Sequence, residues 1–268
     1  MFVYKATIQS GPLLEVKYYK SIRQRGKRNV ARSINRSLTP DKMQRANKIR
    51  SEQNIRRLIL CNFSEGDRWV RFSAPYVKFT EKEFERVVSN FFKRVKYHAA
   101  KAGLEFKYIG FVESGKKGEN WHLHIIIPRE VSAIAEKCWK WKSGIYNKPL
   151  YLDGAFKDLS KYISKDAARH KDVGANKRIK TSRNLQCPTV QVKEHVKREY
   201  QRIERTGEIE VPKNYYLLKD DSFSVNEITG AVFSFSFLRL NALDWWSSTE
   251  ADAAPTASAP SARARKRC

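Results

Sequence analysis

Acidic residues are scarce in this 268-residue chain: 28 Asp and Glu face 53 Lys and Arg, a formal charge of +25. An excess of that size is far beyond what solubility requires, and it points to a polyanionic partner. Long apolar runs are missing as well. No stretch of 18 apolar residues exists, which argues against a bilayer-spanning helix. Residues Met1–Lys17 lack the basic start and continuous apolar run of a secretory signal. The four cysteines (Cys61, Cys138, Cys187, Cys268) form no Cys-x-x-Cys pair, so neither a zinc finger nor a disulfide framework is suggested, and a reducing cytoplasm is the simplest setting. What is present is a core: 41% hydrophobic and 12% aromatic residues exclude a mainly disordered chain.

The cations are unevenly spread. Residues 20–57 hold thirteen Lys/Arg against Asp41 and Glu52 alone, a bias no compact domain sustains by itself. Within that stretch Thr39-Pro40-Asp41 reads as an N-cap, a first-turn proline and an acid opening a helix to about Leu60. Further along, Trp69–Ser73 reads as a strand, and Thr80 with Glu83 forms a capping box for a helix to about Ala102. Phe106–Glu113 and Trp121–Ile127 read as an antiparallel hairpin, followed by helices over 130–142 and Asp153–Arg169, with a further short strand near Leu150–Leu152. A short helix near Val190–Arg205 and strands around Glu208–Leu218 and Ala231–Leu240 complete the pattern.

Strand, helix, hairpin, helix predicts an α+β fold, an antiparallel sheet with helices packed on one face. Four segments are expected: a basic N-terminal arm and helix (1–60), a central domain (61–190), a C-terminal helix and strands (191–246), and a disordered basic tail (247–268).

The chemistry concentrates in Trp121-His122-Leu123-His124-Ile125-Ile126-Ile127. On a strand, residues two apart share a face, so His122 and His124 stand side by side while Leu123 and Ile125 enter the opposite face. An antiparallel hairpin carries Glu113 next to the start of the histidine strand. Two imidazoles and a carboxylate suit a divalent cation with positions left open for substrate. On the Asp153–Arg169 helix, Tyr162 and Lys165 are one turn apart on a face rotated off the apolar stripe of Leu152, Phe156, Leu159 and Ile163. A cation that polarises a phosphate, a phenol that attacks phosphorus and a lysine that steadies it make one chemistry.

With these residues the sequence resembles the HUH endonucleases, in particular the rolling-circle replication initiators of phages and plasmids. His122-Leu123-His124 matches the His-hydrophobic-His motif, Glu113 stands where a third ligand is usual, and Tyr162-Ile163-Ser164-Lys165 matches Tyr-x-x-Lys. Histidines before tyrosine is the order of initiators and small transposases, not of most relaxases. The resemblance spans about residues 60–190. It implies an RRM-like or ferredoxin-like sheet, Mg²⁺ or Mn²⁺, nicking of single-stranded DNA at a replication origin, a 5′-phosphotyrosine link on Tyr162, and strand joining in the cytoplasm of a bacterial host. No Tyr-x-x-x-Tyr occurs, which implies a single-tyrosine mechanism. Ser114-Gly115-Lys116-Lys117-Gly118 does not fit the NTPase phosphate loop, so a host helicase and polymerase are the expected partners.

Candidate DNA-contacting residues are Arg71 on the first central strand, Lys116 and Lys117 in the hairpin loop, and Arg178, Lys180 and Arg183 after the tyrosine helix. Trp69 and Phe72 suit either base stacking or a core. Three other readings compete. An HUH transposase shares all the chemistry, an RRM-like nucleic-acid-binding module explains the composition without catalysis, and a metal oxygenase would pair His-x-His with Glu130.

Overall fold

The computed structural model describes residues 1–22, 41–114, 120–168, 179–218, 222–226 and 230–246, and these divide into two compact units. The first unit gathers residues 1–40 with 187–268, and the second is Asp41–Gln186. This partition differs from four consecutive segments, because strand pairings between distant parts of the chain leave no local signature.

Residues 2–21 illustrate the point. The basic-arm expectation includes no strand there, yet β1 (Phe2–Ser10) and β2 (Leu13–Ser21) form an antiparallel hairpin. Tyr4, Ala6 and Ile8 are buried at a period of two, and the interspersed lysines obscure that alternation.

In the second unit, α1 (Asp41–Asn62) begins at the acid expected in its first turn, while Thr39 and Pro40 lie outside the described residues. After β3 (Arg68–Ser73), Thr80 caps α2 (Glu81–Lys101), its side chain accepting from the Glu83 N–H while the Glu83 carboxylate accepts from the Thr80 N–H. The stripe Phe84, Val88, Phe91, Val95, Ala99 is buried. The hairpin β4 (Ile109–Ser114) and β5 (Trp121–Ile127) follows, then α3 (Arg129–Cys138), β6 (Ile145–Pro149), α4 (Lys157–Ala168) and β7 (Ile179–Thr181). The expected strand at Leu150–Leu152 thus lies a few residues earlier. The chain returns to the first unit with β8 (Thr189–Glu194), α5 (Lys197–Thr206), β9 (Tyr215–Leu217), β10 (Ser222–Asn226) and β11 (Gly230–Arg239). The helix expected from Val190 therefore starts only at Lys197: Thr189, Val190 and Val192 are β-branched and pair with β1 instead.

Each unit is built on an antiparallel sheet. The first has the order β10-β11-β2-β1-β8 with β9 on β11, and the second β6-β3-β5-β4-β7. The fold class is α+β, compatible with an RRM-like HUH initiator fold. In the second unit Val70, Phe72, Val112, Leu123 and Ile125 form one core with α2 and α3 on a single sheet face. The opposite face carries the row Ser73–His122–Glu113, then Arg71–His124–Phe111, then Trp69–Ile126–Ile109. Here α4 adds cover beyond the one-faced expectation, laying Tyr162 against Trp69 and Phe111. Gly110 permits this sheet to close, since a Cβ there would collide with the His124 carbonyl oxygen.

Cys61 and Cys138 are free thiols, whereas Cys187 is disulfide-bonded, which the spacing did not suggest.

Candidate active site

The hairpin register places Glu113 directly opposite His122. One row along, His124 lies between Arg71 and Phe111. Its ring is held in an aromatic sandwich, 5.0 Å from Phe111 at an interplanar angle of 8° and 5.5 Å from Trp69 at 30°. Only 7% of His124 is exposed. Burial, reinforced by His122 and Arg71, pushes its pKa down to about 4. The imidazole is therefore neutral near pH 7, and its 3.2 Å approach of Nε2 to Glu113 Oε2 is a polar contact rather than an ion pair. Burial and the Arg71 charge also lower the pKa of His122 against the pull of Glu113.

Tyr162 reaches this cluster from α4. Its Oη donates to Glu113 Oε2 at 3.5 Å, so a single carboxylate oxygen touches both His124 and the phenol. The tyrosine ring stands edge-on to Trp69 at 6.2 Å and to Phe111 at 5.9 Å. Its 44% exposure leaves the hydroxyl open to an incoming strand. The aromatic floor is what keeps it poised there.

An unusual turn sets where α4 begins. The expected helix start at Asp153 is replaced by a left-handed turn in which Gly154, Ala155 and Phe156 have φ of 54°, 51° and 59°. Two of these are not glycine, and each such residue costs about 1 kcal/mol or more. Arg56 of α1 offsets that cost: its guanidinium, nearly buried, donates from Nε to the Ala155 carbonyl and from Nη2 to the Gly154 carbonyl, both at 2.9 Å. The turn then directs Phe156 and Ile163 into the core and Tyr162 toward the sheet.

Glu113, His122, His124 and Tyr162 are thus brought together, with Arg71 exposed on the same sheet face and its guanidinium 5.5 Å from the Tyr146 ring. Lys180 is not part of this group: it pairs in register with Gly110, on the α2-covered face, and binds Glu85 at 3.0 Å. Arg183 is exposed after β7, within electrostatic range of Tyr108. Lys116, Lys117 and Arg178 lie outside the described residues, as does the side chain of Lys165, whose backbone belongs to α4. Glu130 starts α3 and pairs with Arg129 at 2.9 Å, away from the histidines, which removes the oxygenase pairing.

One carboxylate and two neutral imidazoles are a donor set suited to a divalent cation, and the His124 Nδ1 is buried with no hydrogen-bond partner among the described residues. The three are not gathered to ligation spacing: the imidazole rings are 6.3 Å apart and inclined by 70°, and among the described residues no cluster of three or more His, Cys, Asp or Glu forms a metal site. The donors fit in kind and in face, and ligation requires side-chain rotation.

The Trp69 and Phe111 sandwich and the Arg56 anchor escape a motif reading. The sandwich has a signal, since positions 69, 71, 111 and 113 alternate onto the histidine face once the register is known. Arg56 has none.

A sheet presenting paired strand histidines, a carboxylate and a helical tyrosine is the arrangement of a phosphodiester strand-transfer site. Residues 75–167 match the family model of the replication-associated protein ORF2, a stretch that contains Glu113, both histidines and Tyr162. No curated protein and no solved structure matches the chain. The similarity supports a role in replication initiation and, with it, contact with DNA. No helix among the described residues is long and apolar enough to cross a membrane.

Proposed function

We propose that the protein is a single-tyrosine HUH endonuclease that initiates rolling-circle replication by nicking and rejoining single-stranded DNA at an origin in a bacterial cytoplasm. The observation that carries this reading is the Glu113 oxygen, in reach of both His124 Nε2 and the Tyr162 hydroxyl.

Tyr162 Oη attacks the scissile phosphorus and loses its proton as the O–P bond forms. The bond from phosphorus to the 3′-oxygen breaks, and that oxygen leaves protonated as the 3′-OH that primes synthesis. The 5′-phosphate stays on Tyr162 until a strand 3′-OH reverses the attack. Glu113, His122 and His124 are the residues that would hold Mg²⁺ or Mn²⁺, whose chemistry there is polarisation of the phosphate. Lys165, one turn from Tyr162, steadies the phosphate charge. Arg71 and the exposed Tyr146 beside it offer a charge and a ring to single-stranded DNA. Lys116, Lys117, Arg178 and Arg183 extend the phosphate contacts on this reading. Host helicase and polymerase supply unwinding and extension.

Incubation with pooled single-stranded oligonucleotides, including origin-derived ones, and Mn²⁺ tests the proposal. The expected product is a denaturation-resistant adduct, mapped to Tyr162 by mass spectrometry and absent with EDTA. Tight binding with no adduct from any pool would leave a nucleic-acid-binding module instead, and an adduct on another residue would remove Tyr162 from its role.

A further inference from the structure

The first unit carries a surface that the nuclease chemistry does not use. Helix α5, Lys197-Arg198-Glu199-Tyr200-Gln201-Arg202-Ile203-Glu204-Arg205-Thr206, is anchored by Tyr200 and Ile203, which are 0% and 1% exposed against Tyr18, Phe233 and Phe235. Its two acids are spent on the sheet beneath. Glu199 accepts from Lys5 at 2.9 Å and from Tyr18 at 2.8 Å, and the Lys5 hydrogen bond holds its carboxyl below the ordinary range. Glu204 accepts from Lys20 at 3.3 Å. The two strand lysines thus neutralise the helix's negative charge from below. What remains on the outer face is Lys197, Arg198, Gln201, Arg202 and Arg205, all exposed.

The same face lacks any apolar or aromatic side chain. That argues against insertion into a membrane and against a stacking platform for single-stranded bases. A cavity of about 600 Å³ runs beside the helix, lined by Lys5, Arg198, Arg202 and Lys213, with Glu199 and Glu210. Arg198, Arg202 and Arg205 follow i, i+4, i+7, a row of about 10 Å at the helical rise per residue. A helix fits the major groove of a duplex, and arginine and glutamine are side chains that reach base edges there.

We propose that the outer face of α5 docks double-stranded DNA, contacting phosphates through Arg198, Arg202 and Arg205 with Gln201 toward the groove. The surface lies outside the family-matched stretch and separates duplex holding from single-strand cleavage. The proposal takes DNA as the partner from the functional reading above, but it does not depend on the nicking step.

The test uses full-length protein, a random-sequence 30-base-pair duplex and a single-stranded 30-mer. Affinity is measured across a salt series for wild type, the triple variant Arg198→Ala/Arg202→Ala/Arg205→Ala, and Arg202→Glu alone. The triple variant should lose at least about tenfold in duplex affinity, and the slope of log affinity on log salt should flatten by about 2 to 3. Arg202→Glu should lose a smaller factor in the same direction, which guards against a folding defect in the triple variant. Single-strand affinity and adduct formation should change less than about threefold. Unchanged duplex affinity, or equal losses on duplex and single strand, would overturn the proposal. Failure of wild type to form an adduct would instead remove the nicking reading and leave the duplex result readable.

Discussion

Two cationic surfaces of this chain solve opposite electrostatic problems. On α5 the acids face inward onto Lys5 and Lys20, so the outer face presents charge with no ring beside it. On the β3–β5 sheet the cation Arg71 sits among Trp69, Tyr146, Tyr162 and two histidines held neutral by burial. The first arrangement suits a uniform polyanion gripped at its phosphates. The second suits one phosphate held still beside unstacked bases. A net charge of +25 is therefore the sum of surfaces with different tasks.

The sharpest way to separate the two surfaces is Tyr162→Phe. Adduct formation should fall by on the order of 10⁴-fold or more, while duplex and single-strand affinities stay within about twofold, read by denaturing gel and by binding titration. A Phe variant that still formed adduct at the wild-type rate would dissolve the contrast. His122→Ala and His124→Ala should each cost about 10³-fold in adduct rate, as several kcal/mol of phosphate polarisation are lost, and EDTA should do the same to wild type. Neither variant should alter the salt slope for duplex.

Arg56→Ala asks whether the second surface is set by its supporting turn. Loss of two charge-assisted hydrogen bonds to the left-handed turn should destabilise the protein by about 2–4 kcal/mol in urea denaturation and slow adduct formation more than it weakens single-strand binding. Equal effects on both would make Arg56 a general stability residue. Gly110→Ala, which would press a methyl group against the His124 carbonyl, should cost about 1–3 kcal/mol of stability. The smallest effect is expected from Arg71→Ala, a loss of about threefold to tenfold in single-strand affinity with duplex affinity unchanged.

Much of the second unit was legible in the sequence. The Thr80 capping box, the α2 stripe and the β5 boundaries follow from local propensity and period, and the structure places them where the pattern does. The face shared by His122 and His124 also follows from the strand period of two. Less visible was β8, where β-branched residues pair with β1 in place of the helix expected from Val190. Lys180 looked like a DNA contact because it lies after the tyrosine helix, but strand parity sends it to the other face.

The sequence by itself determined the charge imbalance, the α+β class and the residue types able to do strand-transfer chemistry, because composition and local periodicity are properties of neighbouring residues. Only the tertiary structure decided that Glu113 reaches both His124 and Tyr162, that Trp69 and Phe111 clamp the buried imidazole, and that the N-terminal strands share a sheet with β8 and β11. Those outcomes depend on register and on contacts between residues tens to hundreds of positions apart, which no local pattern encodes.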